Sequence, residues 1–347
     1  MVLLELDARR SRRAALRAGA AGLAATTLVA AGRRAALAHA ATPEVAPAAA
    51  TGGDVAGLVD IGGRSLYLEC RGTGSPTVVL VAGYRSSARF WSDDLHQPEA
   101  PRTMVLPGVA EFSRVCAYDR PGTIATLDDE VLPSRSDPIA QPRTAPDIVG
   151  EIHALLQAAG VSGPYVLAAH SLGGLIARFY ASTYPDEVVG LVLVDAYSEK
   201  LEALLTPERW EALVRLNQEF GSDTVVPIPG YGDLETLGYG TSNAAMREAA
   251  AATPLAPMPL AVLAHGRPFD LPAETQGFSS EALDSVLRAA NEDLATLVPN
   301  ARFFVANDSG HDIHQEQPDL VVEAVRQVVV GARNPDTWAD LTSCCAT

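Results

Sequence analysis

Ser171 stands in the string Ala169-His170-Ser171-Leu172-Gly173-Gly174, with an apolar run before it and a helix-like run after it. A serine on a sharp strand-to-helix turn, with small residues two positions to either side, is the setting of a nucleophile for acyl transfer. Small residues are needed because such a turn brings backbones close together. The position two before Ser171 is Ala169 and not glycine, one methyl more than the usual pattern. The bland alternative is a serine capping the helix that starts at Leu172, and the two roles are compatible. A hydroxyl is a poor nucleophile until a base takes its proton. Of the seven histidines, His39 lies in a basic N-terminal segment, His153 in a helical pattern, and His96 and His265 in no motif. His170 adjoins Ser171 and reads as a lining residue of the pocket. His311 and His314 are three apart without a carboxylate-rich set around them. No CxxC pair or HxxxH helix appears, so no metal site and no cofactor are expected.

The elements that must position these residues alternate. Arg64–Cys70, Thr77–Val81, Arg114–Tyr118, Tyr165–Ala169, Val188–Val194, Leu260–Ala264 and Arg302–Ala306 are β-rich or apolar runs. Val188–Val194 is almost continuously apolar, as a strand buried on both faces of a parallel sheet should be. Thr144 and Asp147 form a capping pattern, and Ile148, Val149, Ile152, Leu155, Leu156 and Ala159 follow at helical spacing until Gly160. Further helices are predicted over Leu172–Tyr184, closed by Pro185, and over Asp319–Val330. This alternation predicts an α/β layered fold with a mostly parallel sheet. Between Asp195 and Pro259 about 60 residues lack a sheet-like strand, and a connection that long is usually functional. Leu201–Phe220 reads as one helix, and Val225–Gly240 is rich in Gly and Pro. The turn Asp119-Arg120-Pro121-Gly122 reads as structural, because Asp and Pro-Gly end a strand by themselves.

Composition excludes several classes. The chain has 347 residues, 48% hydrophobic and 20% charged, with a net charge of −16. Residues 1–40 hold seven Arg against Glu5 and Asp7, a net of +5, so the rest of the chain carries −21. A body that acidic repels a phosphate backbone, which argues against nucleic acid as a partner. The apolar run Ala18 to Ala31, about 14 residues, is short of the roughly 20 that a bilayer span needs. A basic segment, a short apolar stretch and the small-x-small site Ala38-His39-Ala40 describe an export signal over 1–40. Ser11-Arg12-Arg13-Ala14-Ala15-Leu16-Arg17 is similar to the twin-arginine consensus, with Ala15 where an aromatic residue is usual. The alternative is a basic tail on a cytoplasmic protein. Residues 41–55 read as a linker.

Ser75-Pro76-Thr77-Val78-Val79-Leu80, Tyr118-Asp119-Arg120-Pro121-Gly122, His170-Ser171-Leu172-Gly173-Gly174, Gly190-Leu191-Val192-Leu193-Val194-Asp195 and Ser309-Gly310-His311 carry a resemblance. From about Asp60 to Val330 the chain resembles the α/β-hydrolase superfamily. The resemblance implies a three-layer fold, a mostly parallel eight-stranded sheet with helices on both faces, and a lid after the sixth strand. The core would cover 56–196 and 258–332, the lid 197–257 and a tail 333–347. The family order is nucleophile, acid, base. It implies Ser171 as nucleophile, His311 as base, and Asp270 after the seventh strand as acid, with Asp195 at the end of the sixth as the alternative. The oxyanion donors would be the backbone N–H groups of Leu172 and Tyr84; relatives often have His-Gly where this chain has Ala82-Gly83.

The implied function is a secreted serine hydrolase cleaving carboxylic esters of hydrophobic small molecules through an acyl-enzyme. An amidase, a lactone hydrolase, a cofactor-free peroxidase, an acyltransferase or a non-catalytic hydrolase-fold binding protein would carry the same residues. Relatives with an Asp nucleophile are disfavoured by Ser171. The family's strand order, 1-2-4-3-5-6-7-8, makes the strands of Cys70 and Cys116 neighbours. A disulfide would follow if both side chains share one face in register, and two buried thiols if they do not. Cys344 and Cys345 sit in the polar tail.

Overall fold

Among residues 53–127, 130–219, 233–269 and 279–340, which the computed structural model describes, eight strands form one sheet. The proposed export signal and its cleavage site, Asp270 and the Cys344-Cys345 pair lie outside the described residues. In chain order the strands are β1 (Val55–Asp60), β2 (Ser65–Arg71), β3 (Thr77–Val81), β4 (Val115–Tyr118), β5 (Ile124–Leu127), β6 (Glu130–Pro133), β7 (Tyr165–His170), β8 (Val188–Val194), β9 (Leu260–His265) and β10 (Arg302–Ala306). The sheet runs β1-β2-β4-β3-β7-β8-β9-β10, and β5 and β6 pair separately as a hairpin. From β4 to β10 all neighbours are parallel; β2 runs antiparallel to both β1 and β4. Two pieces go beyond the segments that the alternation predicts, β1 and the β5–β6 hairpin.

Successive side chains of a strand point to opposite faces, and here each face has its own core. Val79, Val81, Leu167, Ala169, Leu191, Leu193 and Val262 pack with helices Ala145–Ala158 and Leu172–Thr183. Val78, Leu80, Val166, Ala168, Val192, Val194 and Leu263 pack with helices Val105–Ala110 and Pro318–Arg333. The result is three layers. The Thr144–Asp147 capping box forms as its spacing predicts.

The predicted helix over Leu201–Phe220 is two helices, Leu201–Leu204 and Pro207–Glu219. The cause is Pro207, which cannot donate an N–H into a preceding turn and whose ring clashes there, so it can only open a helix. A third helix, Tyr239–Ala252, completes the insertion between β8 and β9. Helix Ser280–Leu294, capped by the Ser279 side chain, lies between β9 and β10. No helix among the described residues is long and apolar enough to cross a membrane.

Cys70 and Cys116 stand directly opposite each other on antiparallel β2 and β4, with Cα atoms 4.0 Å apart, and are joined by a disulfide. Both are buried.

Candidate active site

The site lies at the carboxyl ends of the central strands. β7 ends at His170, and Ser171 turns the chain into helix Leu172–Thr183 with φ 51° and ψ −123°. Its N–H donates to the Val194 carbonyl at 3.1 Å, and its carbonyl accepts from Gly174 and Tyr197. The turn works because its neighbours are small. A Cβ on Gly173 would run into the Val81 carbonyl. One on Gly83 would come within 2.8 Å of His170 Nδ1 and 3.2 Å of Ser171 Cβ.

His311 follows β10. Its Nδ1–H donates to Asp195 Oδ2 at 2.5 Å, and its buried Nε2 has no hydrogen-bond partner among the described residues. Among the described residues the carboxylate on His311 is Asp195, the alternative acid; Asp270 lies outside the described residues. The reason is local geometry. Asp195 directly follows β8 at φ 42°, donates its N–H to the Leu263 carbonyl at 2.7 Å, and so turns its side chain across the end of β9 toward β10. With Asp195 on Nδ1, that nitrogen's proton has its acceptor.

The Asp195 carboxyl is buried. Burial alone would push its pKa up, but the hydrogen bonds from His265 and His311 outweigh this and hold it well below the usual carboxylate range. Oδ1 accepts from His265 Nδ1 at 2.8 Å, and Asn291 Nδ2 lies 3.4 Å from it. His265, which the sequence places in no motif, thus reaches the site. Only its position at the end of a central strand hints at this.

The loop after β3 carries the expected second oxyanion donor, Tyr84. Neither the Tyr84 nor the Leu172 amide takes part in the hydrogen bonds made among the described residues. Arg85 adopts φ 57°. Ser171, Asp195 and Arg85 are three of the four non-glycine residues with positive φ among the described residues. Such backbone costs roughly 1–3 kcal/mol per residue and persists where the surroundings over-determine it. At Arg85 the surroundings are Glu235, whose Oε2 accepts the Arg85 N–H at 2.6 Å. Glu235 also pairs with Arg120 (Nε to Oε1, 2.5 Å), and Arg120 donates to the carbonyls of Ala82 at 2.9 Å and Gly83 at 2.5 Å. The Asp119-Arg120-Pro121-Gly122 turn is structural, and what it supports is the loop after β3. Neither Arg120 nor Glu235 was legible as a site residue, since no local pattern pairs them.

Aromatic side chains border the site. Phe269 packs 5.5 Å from the His311 ring and belongs to the same apolar cluster as Leu201, Leu205 and Leu213. Tyr239 lies 6.3 Å from Tyr84, 5.8 Å from Tyr197 and 6.1 Å from Trp210, ring centroid to centroid.

Among the described residues one group of potential metal ligands comes together, His170, Asp312 and His314, with ligand atoms within 4.8 Å of one another. His170 Nε2 is already 3.0 Å from the His311 carbonyl. Three such residues fall short of the four ligands of a structural zinc. Burial lowers the pKa of His170, with His314 and His311 adding to it, and burial likewise lowers that of His314.

Residues 78–324 match the model of the alpha/beta hydrolase family. The chain belongs to this family. As an alpha/beta hydrolase it is similar to an uncharacterized protein of Schizosaccharomyces pombe, 32% identical over 183 residues, 45% of this chain. This chain spans only 32% of that relative's length. An AB hydrolase superfamily protein of Gibberella zeae is 24% identical over 314 residues, covering 77% of this chain and 91% of that one. Among solved structures, VinJ matches with a TM-score of 0.51 at 19% identity, covering 80% of this chain and 99% of that one.

Proposed function

We propose that this alpha/beta hydrolase is an exported serine hydrolase that cleaves carboxylic esters of hydrophobic small molecules through an acyl-enzyme. The observation that carries the reading is the pair of features at the ends of β7 and β10. Ser171 sits on a strained strand-to-helix turn, and His311 is oriented by Asp195 with Nε2 unpartnered among the described residues.

In this reading His311 Nε2 takes the Ser171 proton as Oγ bonds to the ester carbonyl carbon. The carbonyl oxygen becomes an oxyanion and accepts hydrogen bonds from the backbone N–H groups of Tyr84 and Leu172. Collapse expels the alkoxide, which takes the proton from His311 and leaves as the alcohol. Water then repeats the sequence on the acyl-enzyme and releases the acid. Asp195 keeps His311 in the Nδ1–H tautomer and stabilises the imidazolium without itself taking a proton.

An apolar substrate is supported by the aromatic rings around the site, Tyr84, Tyr197, Trp210, Tyr239 and Phe269, which belong to its hydrophobic clusters. The helices between β8 and β9 supply Trp210 and Tyr239 and serve as the lid. Export is supported by the basic and apolar N-terminal segment and by the Cys70–Cys116 disulfide, a bond typical of oxidising compartments.

The test is labelling by a fluorophosphonate probe together with turnover of short- and medium-chain nitrophenyl esters. Both should occur with the wild-type chain, and both should vanish in Ser171→Ala while its melting curve stays in place. Wild-type turnover in Ser171→Ala would end the reading.

A further inference from the structure

The carboxylate that orients His311 has a second histidine behind it. His265 closes β9, with Nδ1 2.8 Å from Asp195 Oδ1 and 2.9 Å from Oδ2. On the other side of the ring, Nε2 lies 3.4 Å from Asp284 Oδ1. Asp284 projects from helix Ser280–Leu294 and accepts the Phe269 N–H at 3.0 Å. The His265 side chain is only 2% exposed.

The proton inventory decides the state of this ring. Asp195 is acceptor-only when ionised, so His265 Nδ1 must carry a proton. A neutral ring would then aim the Nε2 lone pair at Asp284, placing two acceptors against each other in a buried site. The imidazolium donates from Nδ1 to Asp195 and sets its charge 3.4 Å from Asp284 Oδ1, an ion-pair contact without a hydrogen bond. Among the described residues, the titratable groups that face the ring or share its partner are three. They are Asp195 from the turn after β8, Asp284 from helix Ser280–Leu294, and His311 from the loop after β10. Asn291 on the same helix and the Phe269 ring, 4.9 Å away, complete the surroundings without charge.

We propose that His265 is a positioning residue of the reaction: as an imidazolium between Asp195 and Asp284, it keeps Asp195 ionised and aimed at His311. This rests on the serine-hydrolase reading above. Burial opposes the charge, but the hydrogen bond and charge of Asp195, aided by Asp284, outweigh it and raise the His265 pKa. The cation offsets part of the Asp195 charge that His311 feels.

Two measurements test this on the full chain. The first is a nitrogen-15 NMR titration of the histidine side chains without substrate, assigned through backbone connectivity. Both His265 nitrogens should remain protonated at pH 7.5, about one unit above the ordinary histidine pKa. A neutral Nδ1–H ring at that pH overturns the proposal. The second is the pH profile of kcat/KM. His265→Asn keeps a donor toward Asp195 but removes the charge behind it, so its acid limb should move to higher pH. Its plateau should stay within a few-fold of wild type, whereas His265→Leu should lose at least ten-fold. A limb that stays in place in His265→Asn overturns the proposal, because that is what a purely packing role gives. If the wild-type chain neither takes the probe nor turns over esters, the hydrolase reading fails, and the NMR titration still decides the charge of His265.

Discussion

Glu235 and Arg120, 115 residues apart in the chain, form an ion pair that is almost wholly buried, and Arg120 also donates to the carbonyls of Ala82 and Gly83. The loop that should present the Tyr84 amide is thus held by a charge from the turn after β4, itself fixed by a charge from the insertion before β9.

Glu235→Gln should expose what that arrangement does. Removing one partner of a buried pair leaves the other uncompensated and costs about 3–5 kcal/mol. If the Tyr84 amide shifts as a result, kcat should fall by up to about 10²–10³, with KM changed little. Steady-state kinetics on a nitrophenyl ester beside a denaturation curve will check it. A large stability loss with unchanged kcat would show that the pair serves the fold and not the loop.

Replacing the two aspartates separately tests the acid. Asp195→Asn should lower kcat by about 10⁴, because the imidazole is then held in the wrong tautomer. Asp270→Asn should leave kcat within a few-fold. The reverse pattern in esterase assays would return the acid's role to Asp270.

Stability should fall as the medium is acidified through the histidine range. His170 and His314 have folded pKa values lowered below the ordinary one by burial. Above about pH 6.5 both are neutral, folded or not. Below it the unfolded chain binds protons that the folded chain refuses. Stability then drops by about 1.4 kcal/mol per pH unit for each histidine. His265 has the opposite sign. Its raised pKa contributes fully below about pH 6.5 and is lost as pH rises through its folded value, so it adds no slope in the acid range. Urea midpoints between pH 6.5 and 5 should show a slope that His314→Gln reduces by about half. Identical slopes in the two proteins would contradict the assignment.

The Cys70–Cys116 bond closes a separation of 46 residues. In the chain-entropy view such a loop contributes about 4 kcal/mol. Thiol titration of the denatured, unreduced protein without its N-terminal segment should find two reactive thiols, those of Cys344 and Cys345, and reduction should lower the urea midpoint accordingly. Four thiols would mean the bond does not form.

What the sequence discloses here is local. The Ser171 elbow is one contiguous string, apolar strand before and helix after, so its geometry could be read directly. The Thr144–Asp147 box is of the same kind, and so is the break that Pro207 makes between helices Leu201–Leu204 and Pro207–Glu219. The acid is different. Asp195 and Asp270 both follow central strands in sequence, and what brings Asp195 to His311 is its positive φ and the alignment of β8 with β9, neither of which a residue pattern records. Arg120, Glu235, His265 and Asp284 are harder still, because each draws its meaning from a partner far along the chain.

The proposed nucleophile and its proposed base follow strands of unequal protection. β7, which leads to Ser171, lies between β3 and β8 with all six residues buried. β10, which leads to His311, closes the sheet with four of its five residues only partly buried. Local opening is easiest at such margins. On gentle warming the base should lose its seat while the middle of the sheet is still whole, so turnover would stop before the far-UV dichroism changes and return on cooling. For this molecule, activity is a finer thermometer than secondary structure.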